Sequence, residues 1–235
     1  MKLLNLDPTR ALVLYAGLVT MALLWIMLTG ATAQHSAEFD TITVHRINVK
    51  ENDGKLRLII ASRDHFPGTF YHGKEIKRPD RSAAGMLFLN DESTENGGLY
   101  FSGRKVNGKI VSGGHLSFDQ YEQDQVVNLE QTDENGEHYG GLTIADYPDQ
   151  PLPFDLPARL KKLPADQRQS ELDRLEATGV LGHARLFVGK SQDRDALLSL
   201  RDGEGRPRLR LRVTEAGAAS IEFLDEEGKV VRIVK

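Results

Sequence analysis

The chain predicts an all-β protein of repeated antiparallel hairpins, set behind an N-terminal transmembrane helix and interrupted by one short inserted helix. Three observations predict it. Ala11 to Gly30 reads ALVLYAGLVTMALLWIMLTG, an apolar run without a charge. From Phe39 onward, strands of alternating polarity are separated by turns rich in Asp, Asn and Gly. Only Asp146 to Gly179 breaks that alternation, first with prolines and then with helical spacing.

As a helix, the apolar run extends about 30 Å and matches a hydrocarbon core. Lys2, Arg10 and the α-amino group precede it against Asp7, and His35, Glu38 and Asp40 follow it. The positive-inside bias therefore keeps the N-terminus cytoplasmic and carries the remainder across. Ala31-Thr32-Ala33 also fits the small-x-small pattern of a signal peptide cut after Ala33. Signal-peptide apolar regions run about 7 to 15 residues, so length favours a retained anchor in residues 11–30. Either reading puts the body outside the cytoplasm, and residues 1–34 stand apart as leader.

The body opens with residues 35–145 and resumes with 180–235. Five hairpins can be traced: ITVHRINV–ENDG–KLRLII, GMLFLN–DESTENGG–LYFSG, QVVNLE–TDENGEHYGG–LTIA, ALLSL–RDGEGR–PRLRLRV and ASIEFL–DEEG–KVVRIV. In the fourth, Leu198, Leu200, Leu209, Leu211 and Val213 share one face and Arg208, Arg210 and Arg212 the other, the period of two of a half-buried strand. Asp-Gly and Asn-Gly pairs, such as Asn107-Gly108, Asn135-Gly136 and Asp202-Gly203, tolerate the positive φ of tight turns. One hairpin alone is marginal, so several must cover one another. A small propeller-like ring, a closed meander and a β-sandwich all satisfy the spacing, and the last strand KVVRIVK is expected to close the array against ITVHRINV, hiding two edges.

Residues 146–179 are the exception. Pro148, Pro151, Pro153 and Pro157 read as an extended linker. A surface helix follows, with Pro164 in its first turn, Gly179 after its end, and Leu172 and Leu175 on one face.

Composition bounds the function. The 235 residues are 40% hydrophobic and 27% charged, a folded domain of ordinary size. The formal charge is −4, so no nucleic-acid partner is expected, since that affinity rests on Lys and Arg at phosphates. There is no cysteine, which excludes disulfides, thiolate metal sites, iron–sulfur clusters and a cysteine nucleophile. No phosphate loop, GxSxG, HExxH or dinucleotide fingerprint is present, and no cofactor is expected.

Four side-chain groups are candidates for chemistry. Asp91, Ser93, Glu95 and Asn96 in DESTENGG offer hard oxygens to calcium, although no Glu follows to complete an EF-hand, and Asp133-Glu134-Asn135-Gly136-Glu137 fails likewise. Turn chemistry accounts for the same residues, with Asp and Asn bonding their own backbone and acids keeping the tip solvated. His115, Ser117 and Asp119 alternate along one strand and share a face, but neighbours on a face lie about 7 Å apart, too far for a triad by spacing alone. The plainer expectation is a polar outer face opposite buried Leu116 and Phe118. His45, His65 and His72, with Asp64 or Glu75, carry metal-ligating groups without a diagnostic spacing, in or near the long loop from Arg63 to Arg81 that interrupts the hairpins. The ladder Arg206, Arg208, Arg210, Arg212 matches anion chemistry through guanidinium forks, or else a solvated face paired with Glu215 and Glu222.

FDTITVHRINVKENDGKLRLII, AGMLFLNDESTENGGLYFSG and LSFDQYEQDQVV resemble stretches of a group of bacterial proteins that carry a membrane segment at the N-terminus. The resemblance covers residues 39 to 145 and extends weakly through the C-terminal hairpins. It implies a bacterial origin and brings no catalytic residue, ligand or cofactor with it. Together these readings lead to a single-pass protein of the bacterial inner membrane whose periplasmic body is a binding or assembly module with an envelope protein or glycan as partner. An envelope hydrolase using a loop or strand histidine and a calcium-stabilised structural domain are the alternatives.

Overall fold

A computed structural model describes residues 7–30, 36–78, 81, 83–134, 136–153 and 155–235. The Ala31–Ala33 cleavage pattern and Asn135 lie outside the described residues. The chain divides into two compact units, Met1–Thr43 and Val44–Lys235. In the first, helix α1, Pro8–Gly30, is long and apolar enough to cross a membrane and buries none of its span within the protein.

The second unit is mostly antiparallel β. Its strands are β1 (Arg46–Lys50), β2 (Leu56–Ala61), β3 (Thr69–Tyr71), β4 (Lys74–Ile76), β5 (Ala84–Leu89), β6 (Glu95–Val106) and β7 (Lys109–Asp119). They continue with β8 (Gln125–Glu134), β9 (Glu137–Asp146), β10 (His183–Lys190), β11 (Ala196–Arg201), β12 (Pro207–Val213), β13 (Ala219–Leu224) and β14 (Val230–Val234). All five hairpins read from the sequence pair, as β1–β2, β5–β6, β8–β9, β11–β12 and β13–β14. Strands β7 and β10 fill the gaps between them, so a single 12-stranded meander runs β1-β2-β5-β6-β7-β8-β9-β10-β11-β12-β13-β14, with β3–β4 as a separate pair.

That bridging corrects the expected closure. β14 pairs with β13 and β1 with β2, at opposite ends of the sheet, so the last strand does not meet the first. Hairpins that hydrogen-bond to their neighbours form one continuous layer and have no need to stack as blades or as two sheets. The sheet also passes without a break from β9 to β10, joining the two parts of the body across the insertion.

The insertion holds two helices where one was expected, α2 (Leu156–Lys162) and α3 (Ala165–Ala177). Leu163 precedes Pro164 and is held extended at ψ 145°, which ends α2, because a residue before proline disfavours the helical region. Arg168 then donates to the carbonyls of Leu160 and Leu163, both at 3.0 Å, satisfying the C-terminal end of α2. Leu175 of α3 and Leu156 of α2 are buried.

The meander has two unlike faces. One carries an unbroken register row, one aliphatic residue per strand: Ile47, Ile60, Met86, Leu99, Leu116, Leu129, Leu142, Val188, Leu198, Leu211, Ile221 and Val234. Not one of these is buried, and Leu129 is 51% exposed. The other face is the covered one. Ile59, Ala61, Leu87 and Leu89 project there and pack with Phe70 of β3 into the hydrophobic core, and farther along it His115, Ser117, Ser199 and Glu222 are buried.

This reverses the expected orientation of β7 and of β11–β13. Phe118 is exposed opposite buried His115 and Ser117, and Leu200, Leu211 and Val213 are exposed opposite buried Ser199 and Glu222. Alternation defines two faces, but coverage follows the segments that lie over them. Over β5–β8 the cover comes from Phe66, Phe70 and Arg81 of the long loop and from Leu152 and Pro153 of the proline-rich stretch after β9.

Candidate functional site: a polar cavity on the covered face

Beyond the core, the covered face of β6–β8 opens into a cavity of about 560 Å³, within the range of small-molecule sites. Gly98 and Gly113 stand on its floor without side chains. Phe66, Thr69, Arg78 and Arg81 of the long loop form one wall, and Leu152, Pro153 and Pro157 another. The β7–β8 turn fixes that second wall. Gln123 Nε2 donates to Gln150 O at 2.7 Å, Gln120 Nε2 to Pro148 O at 3.1 Å, and Leu152 N to Glu122 O at 2.8 Å.

Alternation along β6 and β7 brings Tyr100, His115, Ser117 and Asp119 to this cavity, with Glu95 at the start of β6 and Glu130 on β8. Tyr100 and His115 stack at 4.6 Å between ring centroids. Arg81 donates to Glu95 Oε1 and to Gly68 O, so its charge is committed inside the wall. Glu95 Oε2, His115 Nε2, Asp119 Oδ1 and Gln123 Oε1 are buried and have no hydrogen-bond partner among the described residues. Buried polar atoms are rarely left so in native proteins, because each costs about 1–3 kcal/mol.

Burial also decides the protonation states. It pushes the Asp119 carboxyl up to about 8, with Glu95 and Asp124 adding to the rise and Arg81 opposing it. Burial likewise holds the His115 imidazole below its ordinary range, against the pull of Glu130 and Asp124, and raises the Tyr100 hydroxyl. Near neutral pH the site thus presents a protonated acid, a neutral imidazole and a neutral phenol.

The four calcium candidates are not gathered. Asp91 pairs with Arg57, Ser93 Oγ donates to Leu56 O at 3.4 Å, and Glu95 turns into the cavity. The turn is built by Asn90, whose Oδ1 accepts from the backbone of Glu92 and Thr94, with Ser93 at φ 58°. Asn96 stays in the strand of β6, and Asp133 pairs with His138 at 3.1 Å. Two of the three arginines of β12 meet acids: Arg212 Nε lies 2.8 Å from Asp195, and Arg210 lies 3.8 Å from Glu222, its register partner. Arg206 pairs with Asp202, and Glu215 with Arg194.

The three histidines do not gather at one centre. His45 stacks on His65 at 4.8 Å, and His65 Nδ1 lies 3.1 Å from Ser62 Oγ. Glu75 accepts from Gly68 N and does not meet them. His72, at the β3–β4 turn, meets Glu122 at 2.8 Å and Glu92 at 3.7 Å, and Tyr121 Oη donates to Glu92 at 2.6 Å. Among the described residues, His72, Glu92 and Glu122 are the set able to offer three ligand atoms to one metal ion. Two of the three are exposed and the cluster hydrogen-bonds internally, so its groups are already answered without an ion.

Sequence reasoning missed Tyr100, Gln123 and Glu130 as site residues, and no spacing ties them together before the strands are paired. The register of β6, β7 and β8 brings Tyr100 and Glu130 together, and the β7–β8 turn brings Gln123. No family model, no curated protein and no solved structure matches this chain.

Proposed function

We propose that the protein is a membrane-anchored binding module of the bacterial envelope, its body held outside the cytoplasm by α1 and its cavity on β6–β8 taking a small polar ligand. One observation carries the reading: four residues that line one cavity each hold a buried polar atom without a partner among the described residues, beside a space large enough for a small molecule. The charges around the apolar run support export of the body. The bare aliphatic row supports the assembly half of the reading, since soluble monomers rarely expose a long contiguous apolar patch.

The test uses the full chain in lipid nanodiscs. A panel of amino acids, sugars and nucleotides is screened by melting, because a ligand that binds only the folded state raises the midpoint. Ser102→Trp, which places an indole in the cavity, should abolish any shift while leaving the unliganded midpoint within about 2 °C, the scale of a surface-level substitution. A panel without a single shift removes the support. Placement is tested separately with a reporter fused after Lys235 that is active only outside the cytoplasm.

A second reading has one observation in its favour. His115 and Asp119 share the cavity as a neutral base and a protonated acid, the pair of states that general acid–base hydrolysis needs near pH 7. Asn at Asp119 and Gln at His115 should then each abolish a hydrolytic activity without lowering the melting temperature.

A further inference from the structure

The chemistry of the orphaned atoms narrows the ligand class. Glu95 Oε2 and Gln123 Oε1 are oxygens that accept hydrogen bonds, Asp119 becomes acceptor-only once its carboxyl loses the proton, and His115 Nε2 accepts in the tautomer that keeps its proton on Nδ1. Gln123 and His115 are only 4% and 8% exposed, so bulk water does not satisfy them freely. Ionised carboxylates also outnumber guanidinium groups on the lining, with Glu95, Asp124 and Glu130 against Arg78 and Arg81 while Asp119 is protonated. Arg81 is spent on Glu95 and Gly68, and Arg78 donates to Thr69 Oγ1.

Resting on the cavity's reading as a ligand site, we propose that the ligand carries a protonated amino group among its hydrogen-bond donors. Its positive charge answers the surplus of carboxylates, and its N–H groups fill the acceptors that this chain leaves open. The acceptors favour an organic cation over a metal ion. Among the described residues the one three-ligand set close enough for a metal lies at His72, Glu92 and Glu122, outside this cavity. An anionic ligand would meet Glu95, Asp124 and Glu130 without a free guanidinium to offset them.

Binding then moves a proton. Without ligand, Asp119 holds its proton near neutral pH because burial and the nearby Glu95 and Asp124 disfavour its charge. Arg81 opposes them, while His115 on the same strand is held neutral and Tyr147 is kept protonated by burial, with Asp124 and Asp119 adding to the rise. An ammonium beside Asp119 stabilises the carboxylate, so the carboxyl O–H breaks and the proton leaves to the buffer. For an amine that stays protonated throughout, as an alkyl diamine does, affinity should therefore rise with pH from about 6 to 8 and level off just above.

The experiment is isothermal titration of the full chain in nanodiscs with two matched pairs, D-glucosamine against D-glucose and 1,4-diaminobutane against 1,4-butanediol. At least one amine should bind about tenfold or more tighter than its uncharged twin. Asp119→Asn and Glu95→Gln should each weaken it by about tenfold or more, and titrations in two buffers of different ionisation heat should show proton release that Asp119→Asn abolishes. The inference is overturned if neither amine binds, if the uncharged twins bind as well, or if Asp119→Asn leaves amine affinity and proton release intact. Should an uncharged twin bind and Ser102→Trp prevent it, the cavity still stands as a ligand site and only the amine assignment fails.

Discussion

Tyr100 and His115 stand opposite each other on β6 and β7 and stack with their rings 17° from parallel, on the covered side of the sheet. Burial on that side sets how His115 titrates, against the pull of Glu130 and Asp124. Its imidazole is held below the ordinary value of 6.5 by burial, so the folded chain refuses a proton that the unfolded chain accepts. Stability is then complete above pH 6.5 and is lost as the pH falls from 6.5 toward the folded value. His115→Gln cannot titrate and should show a shallower fall of melting temperature between pH 7 and 5, measured by circular dichroism.

Asp119 has the opposite dependence. Its carboxyl is raised from 3.8 to about 8, so between those values the unfolded chain is ionised and the folded chain is not. Stability therefore falls as the pH rises through that window and is flat above it. Asp119→Asn removes the penalty. Its melting temperature should match the parent near pH 4 and exceed it by about 4 °C or more at pH 8, since a chain of this size gains roughly 2–4 °C per kcal/mol.

How far the sequence reaches is clear from single elements. Turn residues such as Asp53-Gly54 and Asn107-Gly108 announce their turns, because the backbone needs of a tight turn are local, whereas after Asp202 the positive φ falls at Gly205 and not at Gly203. The covered side of β7 is not announced. HLSFD alternates whether His115 or Phe118 is covered, and the choice falls to the Arg63–Arg81 loop, whose Phe70 and Arg81 lie far away in sequence. His115 and Asp119 could be named from their strand. Glu95 was visible as a calcium ligand or a turn acid and not as a cavity group, and its partner Arg81 not at all, since long-range pairing decides both. His72 was recognisable as a ligand type, yet its acids come from two other turns, at Glu92 and Glu122.

Gly97 tests the packing of the bare face. It opposes Phe118 at φ 120°, and a Cβ there would stand 2.3 Å from Ser117 O, while the rings of Phe88 and Phe118 close over this part of β6 at 5.9 Å. Gly97→Ala meets both a forbidden backbone and a fixed carbonyl. It should cost about 3 kcal/mol or more by the scale of such strain. Gly203, with open space around it, is the control: Gly203→Ala should change stability by about 0.5 kcal/mol or less in urea unfolding.

The unlike faces predict unlike costs for the same truncation. Ile59 is 0% exposed among Leu87, Leu89 and Phe70, so Ile59→Ala leaves a cavity and should cost about 2–5 kcal/mol. Leu211 is 40% exposed in the aliphatic row, and Leu211→Ala loses little that folding had removed from water, about 1 kcal/mol or less. A fluorescent apolar dye gives the complementary measurement. It should bind the folded chain, whose row crosses twelve strands, and serines at Leu129 and Leu211 should reduce its signal without lowering the melting temperature by more than about 4 °C. Equal costs for Ile59→Ala and Leu211→Ala would mean that both faces are covered, and the single-layer arrangement of the meander would then be wrong.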